Sequence, residues 1–279
     1  MNEVLSGGAV IIPAYLRDES DVSVLADLLS GLPGIVGRRV VVAQPGPEGL
    51  PSLSELPEAE ALQIVSLSSG VGKWPAFAAG LERLDGNEPW VAVLDADGAF
   101  PSRGLPPLLA AMAAGSYSHM IGSRPPAAID LRAVGADGSH LRRHLEAYSN
   151  TLTLLSLGES AGSAFAGADL QCGIHLFARH RLAGLARDTW PYYGGELQLF
   201  HDSIASGHRV GFAPVEVAEN PVSTYPIAEI IRGLFELPFL AATERRLRER
   251  ALREAPSFYP GWKLDPAFLA SDLEPLLDR

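Results

Sequence analysis

The sequence predicts an α/β domain built on a mostly parallel central sheet, sandwiched between helices in three layers. Three observations lead there. Short apolar runs alternate with stretches of helical spacing up to residue 124. One run, Trp90-Val91-Ala92-Val93-Leu94, is apolar throughout, as expected of a strand buried on both faces. It ends abruptly in Asp95-Ala96-Asp97-Gly98, and in sheets of this kind ligands gather beyond the carboxyl ends of the strands.

The elements follow in order. Ala9 to Pro13 is an apolar strand that proline is expected to stop, with Ala14-Tyr15 and a polar loop after it. Asp21 to Ser30 has Val22, Leu25, Leu28 and Leu29 at helical spacing, and Gly31 closes it. Arg39 to Ala43 and Ala61 to Leu67 are further strands, the first ended by Gln44 and Pro45-Gly46-Pro47. Gly70-Val71-Gly72-Lys73 leads into a helix through Leu84. Leu105 to Ala114 is a helix, and Tyr117 to Ile121 a strand ending in Gly122-Ser123-Arg124. Pro125 to Ser139, rich in Pro, Gly and Ala, is expected to be a mobile lid. His140 to Leu157 is a helix with Leu141, Leu145, Tyr148, Leu152 and Leu155 apolar, and Arg142, Arg143 and Glu146 on its polar face. Leu170 to Ala178 and His208 to Val217 are strands on either side of a helix from Gly195 to Ser206. From Tyr225 on, helical periodicity dominates. The expected partition is therefore a catalytic domain over 1–222 and a helical C-terminal extension over 223–279.

Composition narrows the function classes. A net charge of −11 argues against a broad nucleic-acid surface. A single cysteine, Cys172, rules out an internal disulfide and a multi-cysteine metal site, and is read as a small buried hydrophobe. No signal-like segment opens the chain and no apolar run reaches the ~20 residues a membrane span needs. The expectation is a cytoplasmic protein. The Ile227, Ile230, Ile231, Leu234 and Phe235 stripe is assigned to cover the domain's own apolar surface. Peripheral contact with the inner membrane surface is the alternative.

Asp95 and Asp97 carry the strongest chemistry. Side chains alternate along a strand, so two carboxylates one residue apart leave its end on the same side. Their natural partner is Mg²⁺ or Mn²⁺, which takes one or two carboxylates and completes its sphere with water and phosphate oxygens. That Asp97-Gly98 is simply a polar turn closing the strand is the alternative, and on this dipeptide alone the two readings stand level. His175, His180, His201 and His208 show no helix-spaced metal pair.

Taken together, these residues resemble family 2 glycosyltransferases, in particular the dolichyl-phosphate mannose synthase-like branch. The resemblance spans residues 8 to 220 and rests on five matches in order. They are Val10-Ile11-Ile12-Pro13-Ala14-Tyr15, then Gly70-Val71-Gly72-Lys73 with Ala76, Ala79, Gly80 and Leu81, and Asp95-Ala96-Asp97. Ile121-Gly122-Ser123-Arg124 and Asp169-Leu170-Gln171-Cys172-Gly173 with Phe177 and Arg179 complete them. It implies a Rossmann-like glycosyltransferase type A (GT-A) fold and a nucleoside diphosphate sugar bound by Pro13, Ala14, Tyr15, Gln44, Gly72, Lys73 and Asp95-Ala96-Asp97, with the metal on Asp95 and Asp97. Three departures stand out. Leu16-Arg17-Asp18-Glu19 replaces the family's Asn-Glu, Gln44 stands where an acid reads the donor's base, and Ala99 stands where a glutamine follows the metal motif.

The implied reaction is metal-dependent, inverting transfer of a hexose to a polyprenyl phosphate, a saccharide or a small molecule. Lys73, at a helix start, is the candidate for a diphosphate contact. Asp169 and Glu196 are the candidate bases for a hydroxyl acceptor. Arg124, with Arg142 and Arg143, is the candidate for an acceptor phosphate. Two alternatives remain: a catalytically silent nucleotide-sugar-binding module, and a sugar nucleotidyltransferase. The latter lacks its glycine-rich basic loop after the first strand.

Overall fold

The computed structural model describes residues 6–57, 61–125, 138–182, 194–218, 237 and 245–269. The chain divides into two compact units, each discontinuous in sequence. The first comprises 1–122, 173–192 and 208–221, the second 123–172, 193–207 and 222–279.

A seven-stranded sheet is the frame of the first unit. Its strands are β1 (Gly8–Leu16), β2 (Val36–Pro45), β3 (Leu62–Ser66), β4 (Trp90–Leu94), β5 (His119–Ser123), β6 (Ile174–Ala178) and β7 (Val210–Pro214), in the order β3-β2-β1-β4-β6-β5-β7. β3, β2, β1 and β4 are parallel, and β6 runs antiparallel between β4 and β5. The predicted mixed α/β architecture with a mostly parallel sheet is therefore what forms.

The core follows from side-chain pattern. Ala9 to Ile12, Val40 to Ala43 and Val91 to Leu94 have no exposed surface, as strands covered on both faces require. α1 (Glu19–Ser30) begins at Asp18, whose carboxylate accepts from the Ser20 and Asp21 backbone N–H groups, and buries Val22, Leu25, Leu28 and Leu29. α2 (Lys73–Leu81) lies on β1 and β2 and buries Trp74, Ala76, Phe77 and Leu81. Gly80 permits that approach, because a Cβ there would come within 2.5 Å of Ile11. α3 (Leu105–Gly115) packs against β7 through Leu105, Leu108, Leu109 and Met112.

Two expectations are corrected here. Pro13 does not stop β1, which continues to Leu16 with Pro13 beside Val42. The β4 ladder has already ended at the Ile11–Val93 pair, so the proline sits where that side of the strand is an edge and its missing N–H costs little. The helix after Gly72 ends at Leu81 rather than Leu84, the last residues closing as a tight turn.

The second unit is helical: α4 (Gly138–Ser156), α5 (Glu159–Phe165), α7 (Gly195–Ala205), α8 (Arg245–Phe258) and the short α9 (Pro266–Phe268). A single turn, α6 (Arg179–Leu182), belongs to the first unit after β6. α4 packs on α5, α7 and α8. The expected polar face of α4 is not solvated: Arg143, Glu146, Ser149, Asn150, Thr151 and Thr153 are all buried. Ser149, Thr151 and Thr153 donate to carbonyls one turn back, which satisfies their hydroxyls within the helix.

Most of the expected lid and the Ile227–Phe235 stripe lie outside the described residues. Among the described residues no helix is long and apolar enough to cross a membrane.

Candidate active site

The parallel strands of the first unit deliver their carboxyl ends to one rim. Register places Tyr15 beside Gln44, one strand over, with Ala14 beside Ala43 and Ala43 beside Ser66. Tyr15 is 46% exposed, and its ring stands against Gly70, where a Cβ would be 3.3 Å away. Pro13 and Ala14 lie in the buried backbone that brings Tyr15 there.

Gln44 is not on the surface of this rim but beneath it. Its Oε1 accepts from the backbone N–H of Val71 at 2.8 Å and of Gly72 at 3.0 Å. The oxygen expected to meet a base is thus bonded to two of the backbone donors that precede α2. Gly72 caps that helix at φ +87°, a conformation that suits glycine. Gln44 therefore fixes the Gly70–Lys73 turn, and through it Lys73.

Lys73 reaches back to the acids. Its Nζ lies 2.7 Å from Asp95 Oδ1 and 5.2 Å from the centre of the Trp74 ring. Asp95 is fixed at its backbone too, where its N–H donates to the Gly173 carbonyl at 3.1 Å. A Cβ on Gly173 would fall 2.0 Å from Asp95 Oδ2 and 2.5 Å from the Phe100 ring, so only glycine leaves room for this carboxylate. Asp97 is exposed, and its Oδ1 accepts from the Ala99 N–H at 3.0 Å, which aims it outward from the turn. Ala96 lies between them, half-buried.

This donor set fits a hard divalent cation. It offers carboxylate oxygens only, one of them on an exposed aspartate. Among the described residues no cluster of three or more His, Cys, Asp or Glu encloses a metal. Two carboxylates with water and phosphate oxygens are how Mg²⁺ and Mn²⁺ are usually held.

The second unit gathers the other predicted residues into a buried ionic cluster. Arg124 donates from Nε to Asp169 Oδ2 at 2.6 Å and from Nη2 to Asp169 Oδ1 at 2.8 Å. Nη2 also donates to Glu146 Oε2 at 2.9 Å. Arg142 donates from Nε to the other oxygen of Glu146, also at 2.9 Å. The side chains of Arg124, Asp169 and Glu146 are at most 4% exposed, that of Arg142 21%. Burial opposes the charge on both Arg124 and Glu146, but Asp169 and then Glu146 outweigh it at Arg124, and Arg124 and then Arg142 outweigh it at Glu146. Arg124 is held well above the ordinary arginine range, and Glu146 below the ordinary glutamate range with help from Arg142.

Two of the candidate residues are bonded to each other here. Asp169, a candidate base, has both carboxylate oxygens bound by one guanidinium. Arg124, a candidate for an acceptor phosphate, spends its fork on Asp169 and Glu146. Arg143 is buried in α4, and Glu196 sits half-buried in the first turn of α7. Sequence reasoning missed Glu146, although it stands four residues after Arg142, the spacing of a helical ion pair. It also missed Gln171, which donates to Asn150 Oδ1 at 2.8 Å and Ser149 Oγ at 3.0 Å. Tyr259 is a third omission: its buried hydroxyl donates to the Ala168 carbonyl and, through burial and Asp169, is held well above the ordinary tyrosine range.

Residues 53–161, which include β3, α2, β4 and the Asp95-Ala96-Asp97 turn, match the family model for glycosyl transferase family 2. Over this stretch the chain is similar to a family 2 glycosyltransferase domain. Structures similar to this chain include Mycobacterium tuberculosis glucosyl-3-phosphoglycerate synthase in complex with phosphoglyceric acid. The TM-score is 0.60 at 15% identity, covering 88% of this chain and 83% of that one. The same synthase with Mn²⁺, UDP-glucose and phosphoglyceric acid aligns at a TM-score of 0.59 and 16% identity, with the same coverage. The similarity is one of fold, and it extends the GT-A architecture over most of the chain. No curated protein matches the chain in sequence.

Proposed function

We propose that this glycosyltransferase moves a hexosyl group from a uridine diphosphate sugar to a small anionic acceptor, with Mn²⁺ or Mg²⁺, inverting the anomeric centre. The observation that supports the proposal is the rim at the end of β4, where the Lys73 ammonium lies 2.7 Å from Asp95 and Asp97 is exposed two residues further on. The choice of donor and metal draws support from the similar fold that binds Mn²⁺ and UDP-glucose. A small acceptor draws support from the phosphoglyceric acid bound by the same fold. A polyprenyl phosphate, as in the dolichyl-phosphate mannose synthase-like branch, is the alternative acceptor, and Arg124, the candidate for its phosphate, already gives Nε and Nη2 to Asp169 and Glu146.

Asp97, with Asp95, would hold the cation, which when bound supplies Lewis-acid neutralisation of the departing diphosphate. Lys73 adds a positive charge at a helix N-terminus whose dipole also favours anions. Tyr15 and the Gly70–Gly72 turn flank the position of the nucleoside. In the reaction the bond from the anomeric carbon to the diphosphate oxygen breaks, and its electron pair leaves with UDP. An acceptor oxygen attacks from the opposite face and forms the new bond. A hydroxyl acceptor gives up its proton to a base, for which Glu196 is the remaining candidate.

The test is a donor screen in which UDP- and GDP-sugars are incubated with and without Mn²⁺ and nucleotide release is followed. Mn²⁺-dependent release from a UDP-hexose is expected. Asp97→Ala is expected to reduce kcat/KM by about 10²- to 10³-fold while the melting temperature stays within a few degrees. Undiminished turnover by that variant would overturn the metal role.

A further inference from the structure

Lys73 and Asp95 form a contact at the rim that both proposed ligands would disturb. Asp95 Oδ1 is occupied by the Lys73 ammonium at 2.7 Å. Its Oδ2 lies over Gly173, in the space a Cβ would fill. Both carboxylate oxygens are therefore constrained by the protein, whereas Asp97 is exposed and bonded through a single oxygen to the Ala99 N–H. Lys73 is equally constrained. Its helix begins where Gln44 pins Val71 and Gly72, so its ammonium approaches Asp95 from a fixed base. The pair is part-exposed, 19% and 30% for the two side chains, so the contact is modest in strength and can be exchanged.

We infer that Lys73 acts as a positioning residue that holds Asp95 away from the cation until a nucleoside diphosphate draws the ammonium off. The inference deepens the function proposed above and rests on it. With Asp95 engaged by Lys73, Asp97 is, among the described residues of the rim, the acid left open to a cation, and binding of metal alone is weak. A diphosphate offers the ammonium a better partner than one carboxylate. Asp95 is then released toward the cation, and each ligand strengthens the other. Because coupling between two sites is reciprocal, Mn²⁺ raises the affinity for UDP by the factor by which UDP raises that for Mn²⁺. The arrangement makes metal and donor bind as a unit.

The probe is Mn²⁺ itself, followed by the electron paramagnetic resonance signal of the free ion, titrated with protein in the absence of nucleotide and again at saturating UDP. The wild-type protein is expected to bind Mn²⁺ weakly alone and at least tenfold more tightly with UDP. Lys73→Met is expected to bind Mn²⁺ alone about fivefold more tightly than wild type, the size of a part-exposed ion pair, and to show an enhancement by UDP reduced by the same factor, the remainder coming from direct ligation of the cation by the diphosphate. Lys73→Arg, which keeps the charge, is expected to restore weak binding. A Lys73→Met protein that binds Mn²⁺ alone no better than wild type, with the enhancement by UDP intact in both, overturns this inference and leaves the proposed function standing. A wild-type protein that binds no Mn²⁺ even with UDP overturns both.

Discussion

Replacing Arg124 with methionine isolates the energetics of the buried ionic cluster. Arg124 and Arg142 face Asp169 and Glu146, two charges of each sign, and the variant leaves one positive charge against two negative. Glu146 keeps Arg142. Asp169 keeps only backbone donors, the N–H groups of residue 124 at 3.2 Å and Gln171 at 3.3 Å. Removing one partner of a buried pair costs about 3–5 kcal/mol, which for a chain of this size lowers the melting temperature by roughly 10 °C. Urea denaturation followed by far-UV circular dichroism measures it.

The pH dependence gives a second signature. Burial by itself would raise the Glu146 carboxyl, but Arg124 and Arg142 hold it below the usual range. Its contribution is therefore present above the ordinary glutamate range and is lost as pH falls through its depressed folded value. Without Arg124, burial at Glu146 is opposed by Arg142 alone, so its carboxyl moves up and the variant's deficit is expected to narrow between pH 7 and pH 5. Adding Asp169→Asn to Arg124→Met is expected to recover a large part of the loss at pH 7. A single variant within 1 kcal/mol of wild type, or a deficit that widens on acidification, would refute the reasoning.

Gln44→Ala strips two backbone N–H groups of their acceptor and is expected to cost about 1–3 kcal/mol. It should raise KM for the donor more than it lowers kcat, as steady-state kinetics would show. Gly173→Ala drives a methyl group into Asp95 and Phe100. The expected result is about 2 kcal/mol of lost stability and weakened Mn²⁺ binding in the presence of UDP, read by calorimetry. His119 is buried beside His175, with Nε2 and Nδ1 3.1 Å apart, and burial, then His175, hold it well below the ordinary value of 6.5. The stability it contributes is present above 6.5 and lost as pH falls below it. His119→Phe is expected to flatten that part of the stability profile, measured by denaturation at several pH values.

Much of the frame was legible because strands buried on both faces are continuous apolar runs, and their ends are marked by residues that a core rejects. Asp95 and Asp97 stood out for that reason, and so did the Gly72–Lys73 helix start. Pro13 misled because its effect on a strand depends on which side is still paired, a property of the neighbouring strand. Gln44 looked like a depleted base contact because its real partners, the backbone N–H groups of Val71 and Gly72, have no side-chain signature. Arg143 and Glu146 looked solvated because a charged helix face looks the same whether water or a buried counter-charge meets it. α5 went unseen, being one short stretch of small residues without a clear apolar stripe.

The placement of β6 bears on how the molecule is made. β4 and β5 are separated in the sheet by a strand that leaves the ribosome some fifty residues after β5. Until Ile174–Ala178 emerges, both neighbours present an open hydrogen-bonding edge, the kind of surface that invites association between nascent chains. The same late segment brings Gly173 against Asp95. Synthesis must therefore proceed past residue 173 before Asp95 acquires its seat, and truncations short of residue 178 are expected to yield aggregates rather than a folded fragment.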